Sequence, residues 1–310
     1  MSSVAAAGGR RLARLRYVTE RRGFLATLLI SPAVIFIGAL VGVPLALAIY
    51  LSFTDATAGS LTGKWVGLAN FRSEIHNPIF RGALWHTFLF TVISQAVVIV
   101  VAGLLAHALV RNFRGRWLLR YFILLPWAAP IALTAIGFLW FYDPQASIFT
   151  WFLVHLHIVS AQHVPNWLGT PRAAMSSIIT VQAWRTIPFA TVIFLAGISS
   201  IPQEVDDAAA IDGATGLKKF WYVSLPLQLP IAIVAVLFGI IFTATDIVVP
   251  YILTNGGPFN STQVLTTWAF QNGINAGNLG QGAAIALFML PLLAFVTITM
   301  LVFARRAEVT

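Results

Sequence analysis

The chain has 310 residues, 58% of them hydrophobic and only 9% charged, with a mean hydropathy of +0.85. Soluble domains carry roughly a quarter of their residues as charges, so this composition excludes a soluble enzyme or binding module and describes a polytopic membrane protein. A formal charge of +9 does not point to nucleic acid, because the basic residues are scattered among apolar segments. The absence of cysteine excludes disulfides and thiolate metal sites.

Gaps in the charge pattern bound the predicted spans. No Asp, Glu, Lys or Arg falls between Arg22 and Asp55, between Arg81 and Arg111, or between Arg120 and Asp143. Each gap exceeds the ~20 apolar residues needed to cross the hydrocarbon. A fourth span runs over 173–199 with Arg185 inside it, a fifth over 230–253 with Asp246 inside it, and a sixth over 282–304. The expected fold is all-α, six transmembrane helices over 24–304, between a basic segment 1–23 and a short tail 305–310. Residues 1–23 are too charged for a secretory h-region, so a cleaved signal peptide is not expected.

Fourteen Arg and Lys residues fall on the side of the termini and of the connection 200–229. Four (Lys64, Arg72, Arg81 and Arg172) fall on the other. The positive-inside rule therefore predicts that both termini and the 200–229 connection are cytoplasmic. Several tryptophans, among them Trp65, Trp117, Trp140 and Trp221, stand near predicted span ends, where indole favours the headgroup zone.

The 200–229 connection predicts two short helices joined at a glycine. Ser200 and Gln203 have the spacing of a capping box, and Glu204, Asp206 and Asp207 follow where a helix N-terminus favours anions. Ile201, Val205, Ala208 and Ala209 are expected to share a stripe, small enough at the alanines for a partner surface to come close. Gly213 suits the left-handed residue that ends a helix. Asp212 lies on that stripe at the unfavourable end of the dipole, so either a basic partner group or backbone amides of the next turn must compensate it. A second short helix begins at residues 218–222, and Leu225-Pro226 leads into the fifth span.

The run Asp207-Ala208-Ala209, three residues, Gly213, nine residues, Val223, one residue, Leu225-Pro226 resembles the EAA motif (E-A-A-x3-G-x9-I-x-L-P) of binding-protein-dependent ABC importer permeases. Asp stands for Glu, and Val for Ile. The resemblance implies that this loop is a coupling helix seated in a cytoplasmic ATPase subunit, through Asp207, Ala208, Ala209, Asp212, Gly213, Val223, Leu225 and Pro226. Thr245-Asp246 and Tyr251-Ile252-Leu253-Thr254-Asn255-Gly256-Gly257-Pro258 are similar to the T-D…Y-x-L-T-x-G-G-P sequence of carbohydrate permeases, the maltose-type subfamily. Trp184-Arg185-Thr186-Ile187-Pro188-Phe189 is similar to that group's W-R/K-x-x-P-F segment. The likeness implies a heterodimer with a second permease, two ATPase copies and an extracytoplasmic solute-binding protein, all at the plasma membrane of a prokaryote. ATP and Mg would sit in the partner ATPase, and no cofactor or metal on this chain.

A charge inside a span costs ~2.5–3.5 kcal/mol, so Arg185 and Asp246 are expected to face the bundle interior, a partner or water. Their depths differ by ~8 Å at the helical rise per residue, within joint reach if the helices adjoin. Two readings stand: a structural ion pair, or a polar pathway for a hydroxylated solute lined by Gln182, Arg185, Asp246 and Tyr251. Gly59 to Lys64 has three residues rather than four between its glycines and Trp65 where a phosphate loop needs Ser or Thr, so this chain is not expected to hydrolyse ATP. His155, His157 and His163 lack a supporting carboxylate and are read as solvated or interface residues. An ion-coupled secondary transporter or channel is the alternative; it would require an ion site and, for the former, usually inverted repeats, and no repeat at a fixed period is visible.

Overall fold

The computed structural model describes residues 22–60, 62–145, 147–160 and 164–308. Most of the basic segment 1–23 and His163 therefore lie outside the described residues. The chain divides into two compact units, Met1–Leu51 and Ser52–Thr310. In the first, α1 (Arg22–Ile37), a π-helical turn (Gly38–Gly42) and α2 (Val43–Ser52) run on as one apolar rod. Its 28 residues from Leu25 to Ser52 suffice to cross a membrane.

In the second unit, α3 (Ala69–His76) leads into α4 (Pro78–Val110), a 33-residue span. Proline at the first position removes a donor that would lack a partner, and the Asn77 carboxamide accepts from the amide of Ile79 at 2.9 Å, so the start is firmly capped. The third span departs from the sequence expectation of one helix. It is α5 (Arg116–Ala128) and α6 (Ile131–Phe141), bent by 98°. Pro130 has no amide hydrogen and drives Ala129 to an extended conformation (ψ 139°), which stops α5 there. A short α7 (Ile148–His155) follows, then the fourth span, α8 (Pro171–Ser199), two residues longer than expected.

After α9 (Gln203–Ile211), α10 (Gly216–Lys219) and a π-helical turn (Phe220–Ser224) comes the fifth span. It also breaks: α11 (Leu225–Ala244) stops, and α12 (Val248–Leu253) restarts it after three residues. The last span is α14 (Leu279–Leu287) and α15 (Met289–Glu308), preceded by α13 (Leu265–Phe270) and a π-helical turn (Gln271–Asn275). Among the described residues five helices are long and apolar enough to cross a membrane, and the bent pair makes six if it counts as one span.

Spans two and four form the most extensive helix interface. Towards the 200–229 end their shared core, joined by Ala235 of the fifth span, is built largely of alanines: Ala102, Ala106, Ala183 and Ala190 beside Val98 and Phe194. Small residues bring backbones close, which is how helices gain dispersion contacts in lipid, where hydrophobic driving force is absent. The opposite half packs bulkier groups, including Phe90, Ile178, Val181 and Val249. Gly239 of α11 is required between them, because a Cβ there would collide with the carboxamide of Gln95 on α4.

Glu74 of α3 is fully buried although it lies outside the spans. Its Oε2 accepts from the Trp268 indole at 3.0 Å and its Oε1 has no partner. Burial pushes the carboxyl above its ordinary value of 4.5, and hydrogen bonds from Trp268 and Asn77 only partly oppose this. Folding therefore favours the protonated form. The resulting stabilisation is complete below the ordinary value and is lost as pH rises through the raised one. Glu74→Gln, which keeps an acceptor for Trp268, should flatten this dependence and melt no lower than the parent at neutral pH. Parallel melting curves for the two proteins between mildly acidic and neutral pH would refute this.

Candidate functional site

Two constellations stand apart from simple packing. The first is the corner between spans four and five. Helix α9 begins at Gln203 with Pro202 as its N-cap and no side-chain cap, so the predicted capping box does not form. The Ser200 hydroxyl turns back instead to donate to Gly197 O at 2.8 Å, and the Gln203 carboxamide donates to Asp207 Oδ1 at 3.2 Å. The acidic first turn, Glu204 and Asp206, still faces the dipole's positive end.

The C-terminus matches the expectation for glycine. Gly213 has φ 72°, its amide donates to Ala210 O at 3.1 Å, and the next amide, of Ala214, reaches back to Ala209 O at 2.8 Å. This pair of bonds is a Schellman closure, which satisfies carbonyls that a helix end leaves free. The predicted stripe is corrected in one respect. Ala209 is buried, but Ala208 is exposed, and it shares the outward face with Asp207 and with Ile211, which is 87% exposed. Asp212 is exposed at the end of α9.

A contact that the sequence reading missed braces this corner. Asp206 pairs with Lys219 at 2.9 Å, joining α9 to α10. Both side chains are about a third exposed, so the pair fixes geometry and adds at most ~1 kcal/mol. Val223 lies in the π-helical turn Phe220–Ser224, and Leu225 and Pro226 begin α11. The loop is thus continuous with the cytoplasmic-side half of the fifth span in the predicted topology.

The second constellation lies within the bundle. Arg185 Nη2 stands 3.3 Å from Asp246 Oδ2, with side-chain exposures of 16% and 3%. Asp246 occupies the break in the fifth span, where its Oδ1 accepts from the amides of Val248 (2.7 Å) and Val249 (3.1 Å). The carboxylate thus ends one helix segment and caps the next, as aspartate does at helix starts. Thr266 holds the same residue through its carbonyl at 2.9 Å. Arg185 Nε and Asp246 Oδ2 have no hydrogen-bond partner.

One turn away, Gln95 of α4 and Gln182 of α8 both donate to the Thr243 hydroxyl, at 2.9 and 3.3 Å. Gln182 is fully buried and its Oε1 is unpartnered. Phe189 and Phe242, each four residues from a member of the ion pair, meet with ring centroids 5.7 Å apart, and Trp127 stacks on Phe189 at 5.0 Å. Tyr251, on α12, packs edge-on against Phe270 and receives a long contact from Asn275 at 3.5 Å. An aromatic wall beside a charged pair with free hydrogen-bonding atoms suits a solute with both apolar faces and hydroxyls.

Residues 99–309 match the family model described as "Binding-protein-dependent transport system inner membrane component". The chain belongs to this family. Among curated relatives, this permease is 32% identical over 276 residues to the sulfoquinovosyl glycerol transport system permease protein SmoG of Agrobacterium fabrum, covering 88% of each chain. It is 30% identical over 292 residues to the trehalose/maltose transport system permease protein MalF of Thermococcus litoralis, covering 94% of this chain and 96% of the relative. A bacterial ABC transporter that imports the acidic polysaccharide alginate contains a chain that superposes with a TM-score of 0.78 at 19% identity, covering 94% and 99% of the two chains. That likeness shows the fold of this multi-pass membrane permease.

The sequence flagged Arg185 and Asp246 by their charge. It did not flag Gln95, Thr243, Phe189 or Phe242 as neighbours, although Thr-Asp followed by a fresh apolar run was the signal of a broken, re-capped span. His155 gives its Nδ1 to Trp151 O at 2.9 Å and lies against that indole, at 3.9 Å between ring centres. This local arrangement serves packing at the end of α7.

Proposed function

We propose that the chain translocates a sugar or sugar-like solute as one half of a permease pair, by alternating access driven by separate ATPase subunits. Residues 200–229 lie on the cytoplasmic side in this reading. Helix α9 seats in the ATPase through Asp207, Ala208 and Ile211, with Ala209, Gly213, Val223, Leu225 and Pro226 shaping the corner. The partners are a second permease, two ATPase copies that hold ATP and Mg, and an extracytoplasmic solute-binding protein. The chain itself supplies the path and no chemistry.

The observation that carries this reading is the outward face of α9. A rigid, doubly braced helix that exposes a whole isoleucine between an alanine and a carboxylate is stable on its own but leaves apolar area for a partner to cover. The names of relatives, a trehalose/maltose and a sulfoquinovosyl glycerol transport system permease protein, support the solute class. The pathway assignment is Arg185 and Asp246 with the Trp127, Phe189 and Phe242 wall, Gln182 one turn before Arg185, and Tyr251 further along the fifth span.

Uptake by the reconstituted complex in sealed vesicles is the test. Accumulation is expected to require the ATPase, the binding protein and ATP together. Uptake that follows an ion gradient with the ATPase absent would instead establish a secondary transporter.

A further inference from the structure

At the base of the 200–229 loop lies a cavity of about 240 Å³. Four ionisable side chains line it: His107 and Arg111 at the end of α4, and the paired Asp206 and Lys219. His107 donates from Nδ1 to Gly103 O at 2.8 Å, and its Nε2 is buried with no partner. Its ring is held edge-on against Phe220, with centroids 5.0 Å apart. Arg111 and the Lys219–Asp206 pair therefore meet at one cavity, and the His107 Nε2 beside them has no partner.

We infer that this cavity takes the phosphate of an anionic phospholipid headgroup, with Arg111 and Lys219 as donors and the His107 ring lining its seat. The inference rests on the proposed topology only in naming the cytoplasmic leaflet. Three observations favour a lipid. First, the cavity lies where α4 and α8 end, with apolar Val110 and Ile198 in its wall, so it straddles the edge of the hydrocarbon. Second, Trp221 and Tyr222 directly after it are 60% and 77% exposed, as indole and phenol side chains are at headgroup level. Third, at 100° per residue Asp206 lies on the far side of α9 from Ala208 and Ile211, so a protein seated on the outward face does not fill the cavity. Basic pockets between helices on the cytoplasmic side are a recurrent way to hold such headgroups. A phosphate here bridges α4 to α10 and stiffens the corner that α9 hangs from.

The test uses the whole complex in nanodiscs of phosphatidylcholine, alone or with added phosphatidylglycerol, and reads retained lipid by native mass spectrometry alongside solute-stimulated ATPase activity. The parent is expected to retain phosphatidylglycerol preferentially. Arg111→Gln, at an exposed position, should weaken that retention about fivefold, the contribution of one basic residue beside an anionic lipid surface. Its ATPase activity in phosphatidylcholine alone should equal the parent's, and His107→Gln should lose retention in the same direction. Equal retention by parent and Arg111→Gln would overturn the proposal. So would full competition by inorganic phosphate, which would assign the cavity to a soluble anion, or an equal loss of ATPase activity in both lipids, which would assign it to the ATPase. Retention is read whether or not α9 couples to an ATPase. Failure of the coupling reading shows separately, as unchanged ATPase association in Ile211→Ser.

Discussion

Arg185→Ala should lower solute uptake about ten- to a hundredfold while the complex still assembles, the loss expected when a charged hydrogen-bonding contact worth ~1.5–3 kcal/mol is removed. The guanidinium is the member of the pair that retains both exposure and a free Nε. Removing it leaves Asp246 with its two backbone donors, so the break in the fifth span keeps its cap. A buried carboxylate without its cation is nevertheless costly, and some loss of yield would follow from that alone. The double variant Arg185→Gln with Asp246→Asn separates the two effects. Both polar shapes remain, no charge is left unpaired, and the asparagine oxygen still caps Val248 and Val249. Assembly should recover in the double variant and uptake should not. Normal uptake by correctly assembled Arg185→Ala would leave the pair a structural one.

Ile211→Ser should weaken association with the ATPase subunit about tenfold or more, measured by co-purification and by solute-stimulated ATP hydrolysis. Covering an exposed isoleucine is worth ~1.5–3 kcal/mol, and at 87% exposure almost all of that area is still available to a partner. The permease alone should fold and melt as before, because the side chain touches little of its own chain. Asp206→Asn offers a contrast: it loses only a part-exposed ion pair and should alter ATPase binding far less. If Ile211→Ser binds and stimulates like the parent, α9 does not dock through its outward face.

The ends of α9 illustrate how far local chemistry reaches. Gly213 could be read directly, since a left-handed residue that closes a helix after a run of alanines is nearly a glycine's only use there. The capping box could not. The Ser200 hydroxyl can accept from an amide ahead or donate to a carbonyl behind, and it donates to Gly197 O at the end of α8, so spacing alone misassigned it. The same limit applies to the amphipathic stripe. The helical period grouped Ala208 with Ala209, but a face 100° wide does not say which edge turns toward the protein, and α9 turned Ala209 in and Ala208 out.

The helical spans and the family were legible in the chain itself, because crossing lipid demands long uncharged runs and the motifs at 207–226 and 245–258 keep the family's spacing. The presence of two ionisable groups in spans four and five was legible for the same reason. Their partnership required the packing of α8 against the broken fifth span, and that depended on distant residues: Gly239 making room for Gln95, and Thr266 holding the carbonyl of Asp246. Likewise the cavity beneath the 200–229 corner arises from where separate helices end relative to one another. Hydropathy and charge act locally along a chain, whereas contacts between helices in lipid are set by the close fit of small residues and hydrogen bonds across them.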